Sequence, residues 1–159
     1  MRYEHTMTYD APPEEVFEML KSEEFREKVC QNLKQTISYD VSITPQGEGM
    51  DVRVEQVQET KGVPSVAKKI VGDETTIIQK EHWTSPRKAD LDIEIPGKPG
   101  SVKGDITLAE QGEGTVETVS VDIKVSVPLV GGKIEKMLAD LLGAAMRSEE
   151  KVGKEWLAG

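Results

Sequence analysis

The chain has 159 residues and a mass of 17.5 kDa, the size of one ordinary domain, and we expect a single domain over residues 1–159. Lys and Arg total 20 against 29 Asp and Glu, which gives a net charge of −9. Nucleic-acid grooves and anionic membrane surfaces need a cationic face, so this balance argues against both partners. The single cysteine, Cys30, excludes an intramolecular disulfide framework and zinc sites built from several thiolates.

Hydropathy along the chain gives no sign of targeting or of membrane insertion. Residues 1–9 alternate between polar and apolar side chains, unlike the apolar stretch of a signal peptide. Nowhere do about 18 apolar residues follow one another, as a transmembrane helix requires. Together with a free thiol, these features predict a cytoplasmic protein.

The first part of the chain is predicted to form one strand and two short helices. Residues 2–9 have the period of two that is typical of a half-buried strand. Residues 10–15, with two prolines and two acids, then resemble a helix start, and an apolar side through Leu20 indicates a short helix. Ser22 is placed as the N-cap of a second helix that continues to about residue 32.

Six further segments alternate between apolar and polar residues, separated by turns rich in glycine and proline. Their approximate ranges are 36–44, 50–55, 74–83, 88–95, 102–108 and 119–127. One apolar and one polar face on each segment favours an antiparallel sheet with one wet side. Between the second and third of these segments, residues 64–71 are predicted to form a short helix with Val66, Ala67 and Ile70 facing inward.

The C-terminal segment, 130–157, has the helical spacing i, i+3, i+4, i+7 over a length of about 40 Å. Its apolar stripe consists of Ile134, Met137, Leu138, Leu141, Leu142, Ala145, Val152 and Trp156. Such a stripe must be buried, and we predict that the helix lies across the inner face of the sheet. Small residues such as Gly104 and Gly143 either leave room for a ligand or allow close packing.

The opening Tyr3-Glu4-His5, followed by Tyr-Asp-Ala-Pro-Pro-Glu-Glu-Val-Phe over residues 9–17, resembles the start of START-like (SRPBCC, Bet v 1-like) helix-grip proteins. Segments 72–74, 95–100 and 127–133 resemble an uncharacterised actinobacterial branch of that superfamily, a domain family of unknown function. The resemblance implies an α+β fold, in which a curved seven-stranded antiparallel sheet wraps around a long C-terminal helix and two short helices follow strand 1. It also implies a cavity between sheet and helix for a lipid, a sterol-like or a polyketide-like molecule.

The apolar inner rows then predict which residues line this cavity. They are Val52, Val54, Ile78, Leu91, Ile93, Ile106, Leu108, Val121, Ile123, Met137, Leu138 and Leu141, with His5 and Tyr39 as polar groups. The small apolar molecule is the expected partner. A cavity below about 300 Å³ would be too small for a drug-sized ligand.

No catalytic group, metal site or cofactor is predicted from the residue spacing. His5 and His82 are the only imidazoles, and no ligand pair at helical spacing accompanies them. Cys30 is expected to be a buried structural residue. Charged residues such as Asp92 and Glu149 are expected to face solvent, which leaves no buried carboxylate pair for acid–base work.

Two alternatives to ligand binding remain open. One is an enzyme of the polyketide cyclase or aromatase kind, which would need polar groups in the cavity, with His5, Tyr9 and Tyr39 as the nearest candidates. The other is a protein-interaction module without a ligand. The sequence leaves the ligand's identity and the oligomeric state open.

Overall fold

A computed structural model describes residues 1–60, 64–65, 68–69 and 72–159. The elements in chain order are β1 (Arg2–Tyr9), α1 (Pro13–Leu20), α2 (Glu23–Asn32), β2 (Thr36–Gln46), β3 (Gly49–Glu59), β4 (Glu74–Ser85), β5 (Lys88–Glu94), β6 (Ser101–Gln111), β7 (Gly114–Lys124) and α3 (Gly131–Ala158). The inward positions predicted for residues 66, 67 and 70 lie outside the described residues.

The seven strands form one antiparallel sheet in the order β1-β7-β6-β5-β4-β3-β2. Strands β1 and β2 are therefore the two edges, and α1 and α2 connect one edge to the other. The Ser22 hydroxyl accepts a hydrogen bond from the Phe25 amide at 3.2 Å, which caps α2 as predicted. The seven-stranded sheet, the two short helices and the long C-terminal helix confirm the predicted fold class.

Helix α3 lies across the inner face of the sheet, and the core fills the space between them. Met7, Val121 and Ile123 of the sheet are fully buried, and Ala139 and Met146 of α3 belong to the same core. No helix in the described part of the chain is long and apolar enough to cross a membrane.

Two glycines of α3 allow the helix to approach β1 closely. A Cβ atom added at Gly143 would lie 2.6 Å from the Tyr3 hydroxyl oxygen, and one at Gly153 would lie 2.6 Å from the Tyr9 ring. A Cβ at Gly104 would collide with the backbone at Ser120 of the neighbouring strand. The small residues therefore serve close packing at these positions, and α3 is held towards the β1 edge of the sheet.

The last strand ends earlier than its sequence pattern predicts. Strand β7 stops at Lys124, and Val125 packs with Ile134 in a small second cluster at the start of α3. Val127 is one of the partly buried residues around that cluster. The apolar alternation continues past the strand because these side chains cover the first turn of the helix.

Candidate functional site

A cavity of about 60 Å³ lies between the inner face of the sheet and helices α2 and α3. Its lining residues are Arg26, Val29, Cys30, Leu33, Val54, Gln56, Gln79, Glu81, Leu91, Ile93, Ile106, Glu117, Val119, Leu142, Ala145, Met146 and Glu149. This volume holds a few water molecules and is well below the ~300 Å³ of a drug-sized site. The predicted drug-sized pocket is therefore not formed, because α3 packs closely on the sheet.

A buried ion pair forms one wall of the cavity. Arg26 of α2 donates from both terminal nitrogens to the two carboxylate oxygens of Glu81 on β4, each over 2.8 Å. The Nε–H of Arg26 donates to the Leu20 carbonyl oxygen, also over 2.8 Å. The guanidinium is thus fixed by three hydrogen bonds, two of them to its counter-ion.

The sheet positions Glu81 and supplies the rest of its hydrogen bonds. In the strand register Glu81 lies between Val52 and Leu91, two residues that face the core. The Trp83 indole N–H and the Gln79 amide donate to its carboxylate, in addition to Arg26. Burial by itself favours the protonated form, but the Arg26 charge and these donors hold the pKa of Glu81 below its ordinary value.

Glu117 is a second buried carboxyl group, and no residue in the described part of the chain pairs with it as Arg26 pairs with Glu81. It lies on β7 between Met7 and Leu108 of the neighbouring strands, and only 1% of its surface is exposed. Its Oε1 has no hydrogen-bond partner among the described residues. Burial raises the pKa of Glu117 well above its ordinary value, and the nearby carboxylates of Glu149 and Glu81 raise it further.

Glu149 of α3 is the third carboxyl group at the cavity. Its side chain is partly buried. Burial raises its pKa to about 7, with the Arg26 charge acting against the rise and the Glu81 charge adding to it. Near neutral pH this group is therefore poised between its charged and neutral forms. The expectation that Glu149 faces solvent and that no buried carboxylate pair exists is wrong.

The only cysteine also lines the cavity. Cys30 follows Arg26 by four residues on α2 and is 1% exposed. Burial raises the pKa of the Cys30 thiol to about 11. Cys30 is therefore buried, as the sequence predicted, and its raised pKa keeps the thiol protonated at neutral pH.

Four of the predicted lining residues lie at the cavity: Val54, Leu91, Ile93 and Ile106. Four others are buried in the core without reaching the cavity, namely Val52, Leu108, Val121 and Ile123. Ile78 lies opposite Glu55 and Glu94 in the register, on the face of the sheet away from the core. Its inward placement was wrong because Trp83, five residues later on β4, faces the core, and side chains alternate along a strand.

The three predicted residues of α3 lie at the margin of its buried stripe. Met137 packs against the small cluster at Ile134, and Leu138 contacts both clusters, but neither lines the cavity. Leu141 is 36% exposed. Each helical residue turns the chain by about 100°, so Leu141 is rotated away from Leu142, which does line the cavity.

The two predicted polar groups, His5 and Tyr39, lie outside the cavity. A hydrogen bond of 3.2 Å joins Nδ1 of His5 to the Tyr3 hydroxyl, and burial together with the Arg147 charge lowers the pKa of His5. The Tyr39 hydroxyl accepts a hydrogen bond from the Gln31 side-chain amide at 2.6 Å. Tyr9 is buried and donates to the sulfur of Met7. None of the three is a lining residue of the cavity.

The charged residues that the sequence reading missed follow the same periodic rules as the apolar ones. Glu117 belongs to the inner row of β7, two residues before Val119. Glu149 follows Leu142 by seven residues on the helix stripe, and Arg26 precedes Cys30 by one helical turn. Their spacing from the apolar residues of the same strand or helix could have identified them as inward-facing, although their charge suggests exposure to solvent.

A larger groove of about 670 Å³ lies on the outer face of the sheet, where its wall carries charges of both signs. Side chains on this face pair across neighbouring strands, as in the contacts of Lys80 with Glu94 at 3.1 Å and of His82 with Asp51 at 2.5 Å. These groups are about half exposed. The groove is a solvated polar face of the sheet. Within the described residues, no three metal-ligating side chains come together.

Comparison with solved structures gives the fold. The chain superimposes on the Thermus thermophilus protein TTHA0849 with a TM-score of 0.65 and 20% identity, covering 98% of this chain and 95% of that one. A START-superfamily protein from Mycobacterium smegmatis gives a TM-score of 0.64 at 14% identity, with 98% of both chains covered. The di-domain ARO/CYC protein StfQ of the steffimycin biosynthetic pathway gives 0.67 at 12% identity, with 97% of this chain and 50% of that chain covered. The architecture is therefore a helix-grip fold like that of these proteins.

Comparison at the level of sequence gives the family. Residues 4–157 match the model of a family described as "Protein of unknown function (DUF2505)". No curated protein matches the chain significantly.

Proposed function

Because the chain belongs to the DUF2505 family of proteins of unknown function, we infer its function from the site, and we propose that the protein binds a small, mostly apolar molecule between the sheet and α3. The observation that carries this proposal is the Oε1 atom of Glu117, buried at the cavity without a hydrogen-bond partner among the described residues. Leaving such a group unpaired costs about 1–3 kcal/mol. A ligand with a polar end would remove that cost.

The walls suit a ligand whose body is apolar. Val54 of β3, Leu91 and Ile93 of β5 and Ile106 of β6 line the cavity from the sheet, and Met146 lines it from α3. Each buried methylene group of a ligand would gain about 0.8 kcal/mol against these side chains. The flexible thioether of Met146 adapts to ligands of different shape.

The present volume admits only one end of such a molecule. Leu33, Leu142 and Ala145 line the cavity but are partly exposed, so the cavity approaches the surface between α2 and α3. The rest of the ligand would lie between these two helices and displace α3 outward. Ligand binding thus requires a larger cavity than the unliganded packing provides.

Native mass spectrometry of the full chain, purified from its own host, tests the proposal. We expect a stoichiometric small-molecule adduct that is lost on denaturation and is recovered by solvent extraction. Ala145→Leu fills the cavity and should abolish the adduct. Ala144→Leu, a matched control, adds the same group outside the cavity and should retain it. An adduct that survives Ala145→Leu, or a wild-type chain that carries none, would contradict binding at this site.

Three narrower inferences accompany this proposal. The motifs at 72–74, 95–100 and 127–133 support an origin in an actinobacterial branch of the superfamily. The shared core of sheet and helices supports a single domain over residues 1–159. The free thiol of Cys30 supports a cytoplasmic location.

A further inference from the structure

The cavity wall contains more acid than base. Among the residues described, Glu81, Glu117 and Glu149 line it, with Arg26 as the only guanidinium. The charge of Arg26 is already matched by Glu81 through two hydrogen bonds of 2.8 Å. Glu117 and Glu149 therefore have no counter-ion of their own in this wall.

The chemistry of these two groups restricts the polar end of a ligand. A carboxylate or phosphate would meet two further acidic groups, and the Arg26 fork that could receive it is occupied by Glu81. An ammonium group has three N–H donors and no acceptor, which complements carboxylate oxygens that lack donors. The apolar lining described above matches an alkyl or aryl body.

Resting on the proposed ligand binding, we propose that the ligand is an apolar amine whose protonated nitrogen donates hydrogen bonds to Glu117 and Glu149. The first acceptor is the buried Oε1 of Glu117, for which the described residues supply no hydrogen-bond donor. Glu149 on α3 is the second, and it lies nearer the surface than Glu117. A protonated nitrogen at this point would supply a positive charge to Glu117 and Glu149, while Arg26 and Glu81 remain paired with each other.

The proposal predicts how affinity depends on pH. The groups that act on Glu117 and Glu149 are Arg26 of α2, Glu81 of β4 and Glu150 of α3, with the phenol of Tyr9 on β1 nearby. A cation binds the ionised carboxyl groups, so affinity rises as pH rises through their values in the free protein. For Glu149, whose pKa is about 7, this means up to about a tenfold gain between pH 6 and pH 8. A neutral ligand that accepts a hydrogen bond from protonated Glu117 would show the opposite trend.

Isothermal titration calorimetry with three probes of one chain length distinguishes these cases: octylamine, 1-octanol and octanoate. Octylamine remains protonated at pH 8, as the lysine amine does. We expect octylamine to bind at a stoichiometry of one, at least about tenfold more tightly than the other two probes at pH 8. Its affinity should increase from pH 6 to pH 8.

Two variants locate the binding. Glu117→Gln and Glu149→Gln keep the shape of each side chain and remove its charge, and each should weaken octylamine about tenfold or more at pH 8 while leaving 1-octanol unchanged. Glu155→Gln removes an exposed charge from the same helix and should leave octylamine binding unaltered. Thermal unfolding of each variant verifies that it is folded, and Glu149→Gln, at a partly exposed position, supplies the test if Glu117→Gln does not fold.

The outcomes separate this inference from the proposed function. If 1-octanol or octanoate binds as tightly as octylamine or more tightly, and Ala145→Leu blocks this binding, the preference for an amine is overturned. The proposed binding of an apolar molecule in the cavity is then supported. Octylamine binding that Glu155→Gln weakens as much as Glu117→Gln would be attraction to the acidic surface and would also overturn it. Failure of all three probes to bind would contradict both proposals.

Discussion

Arg26 on α2 and Glu81 on β4 form a two-bond ion pair in the protein interior, with both N–O distances at 2.8 Å. Both side chains are almost completely buried. The pair joins the second helix to the middle of the sheet, where Trp83 and Gln79 complete the hydrogen bonding of the carboxylate. Water cannot replace either partner at such a depth, so each charge depends on the other.

Removal of one partner should be strongly destabilising. We expect Arg26→Met and Glu81→Leu each to lower the free energy of unfolding by about 3–5 kcal/mol, because each leaves an uncompensated buried charge. The double variant should lose much less than the sum of the two, since it leaves no isolated charge. Urea denaturation followed by circular dichroism measures all three.

A surface pair provides the control for this cycle. Lys80 and Glu94 are 3.1 Å apart, with side chains 47% and 45% exposed. Lys80→Met should cost less than about 1 kcal/mol because water screens the pair. If Lys80→Met and Arg26→Met lower the free energy of unfolding equally, then burial does not make the Arg26–Glu81 pair more important for stability than a surface pair.

The stability of the protein should also depend on the charge of Glu117. In the unfolded chain this carboxyl titrates near 4.5, whereas burial raises its pKa well above that in the native state. The native state therefore keeps a proton that the unfolded chain loses, and stability from this group falls as pH rises above about 4.5. Glu117→Gln should raise the free energy of unfolding at pH 8 by roughly 1–3 kcal/mol and change it little at pH 4.

The exposed Glu113, four residues earlier, supplies the comparison. Glu113→Gln should alter stability by less than about 0.5 kcal/mol at either pH. Chemical denaturation at pH 4 and pH 8 gives the change in the free energy of unfolding of each variant, relative to the wild type, at each pH. A Glu117→Gln chain that is less stable than wild type at pH 8 would mean that the carboxylate has a partner in the fold.

The architecture was predictable from the sequence because the strands and α3 each keep one apolar face. The spacing of two over residues 2–9 and of 3.6 after residue 130 placed the first strand and the last helix within about two residues of their observed ends. The face of the sheet on which each side chain lies was harder to predict. On β4 the apolar Ile78 occupies the outer row, whereas Gln79 and Glu81 occupy the inner row, so counting apolar residues chose the wrong face.

The charged wall escaped prediction for a different reason. Each of its members is polar, and a polar residue at an inner position is normally read as an error in the pattern. Glu81 is tolerated inside because Arg26, distant in sequence, meets it there. The cavity is small because α3 approaches β1 closely at Gly143 and Gly153. This is a tertiary contact, which the helical spacing of the sequence does not predict.

That close approach predicts an unusual effect of alanine in α3. Alanine normally stabilises a helix by about 1 kcal/mol over glycine. At Gly153 the new Cβ would lie 2.6 Å from the buried ring of Tyr9 and 3.2 Å from the Met19 methyl group, so Gly153→Ala should instead destabilise the protein by about 1–3 kcal/mol. At Gly132, in the first turn of α3, no atom of the residues that the structure describes lies within 4 Å of the Cβ position, and Gly132→Ala should be neutral or stabilising. A Gly153→Ala chain that melts at or above the temperature of the wild type would refute the close packing.

The thiol of Cys30 should be nearly inert in the folded protein. It is 1% exposed, and burial raises its pKa to about 11, so only about a thousandth of it is thiolate at pH 8. Reaction with a chromogenic disulfide reagent at pH 8 should be at least about 100-fold slower in the native chain than in the same chain unfolded in urea. The unfolded chain is its own matched reference, because Cys30 is the only cysteine. Comparable rates in the two states would mean that α2 and α3 separate readily in the native chain, so that small reagents reach the cavity.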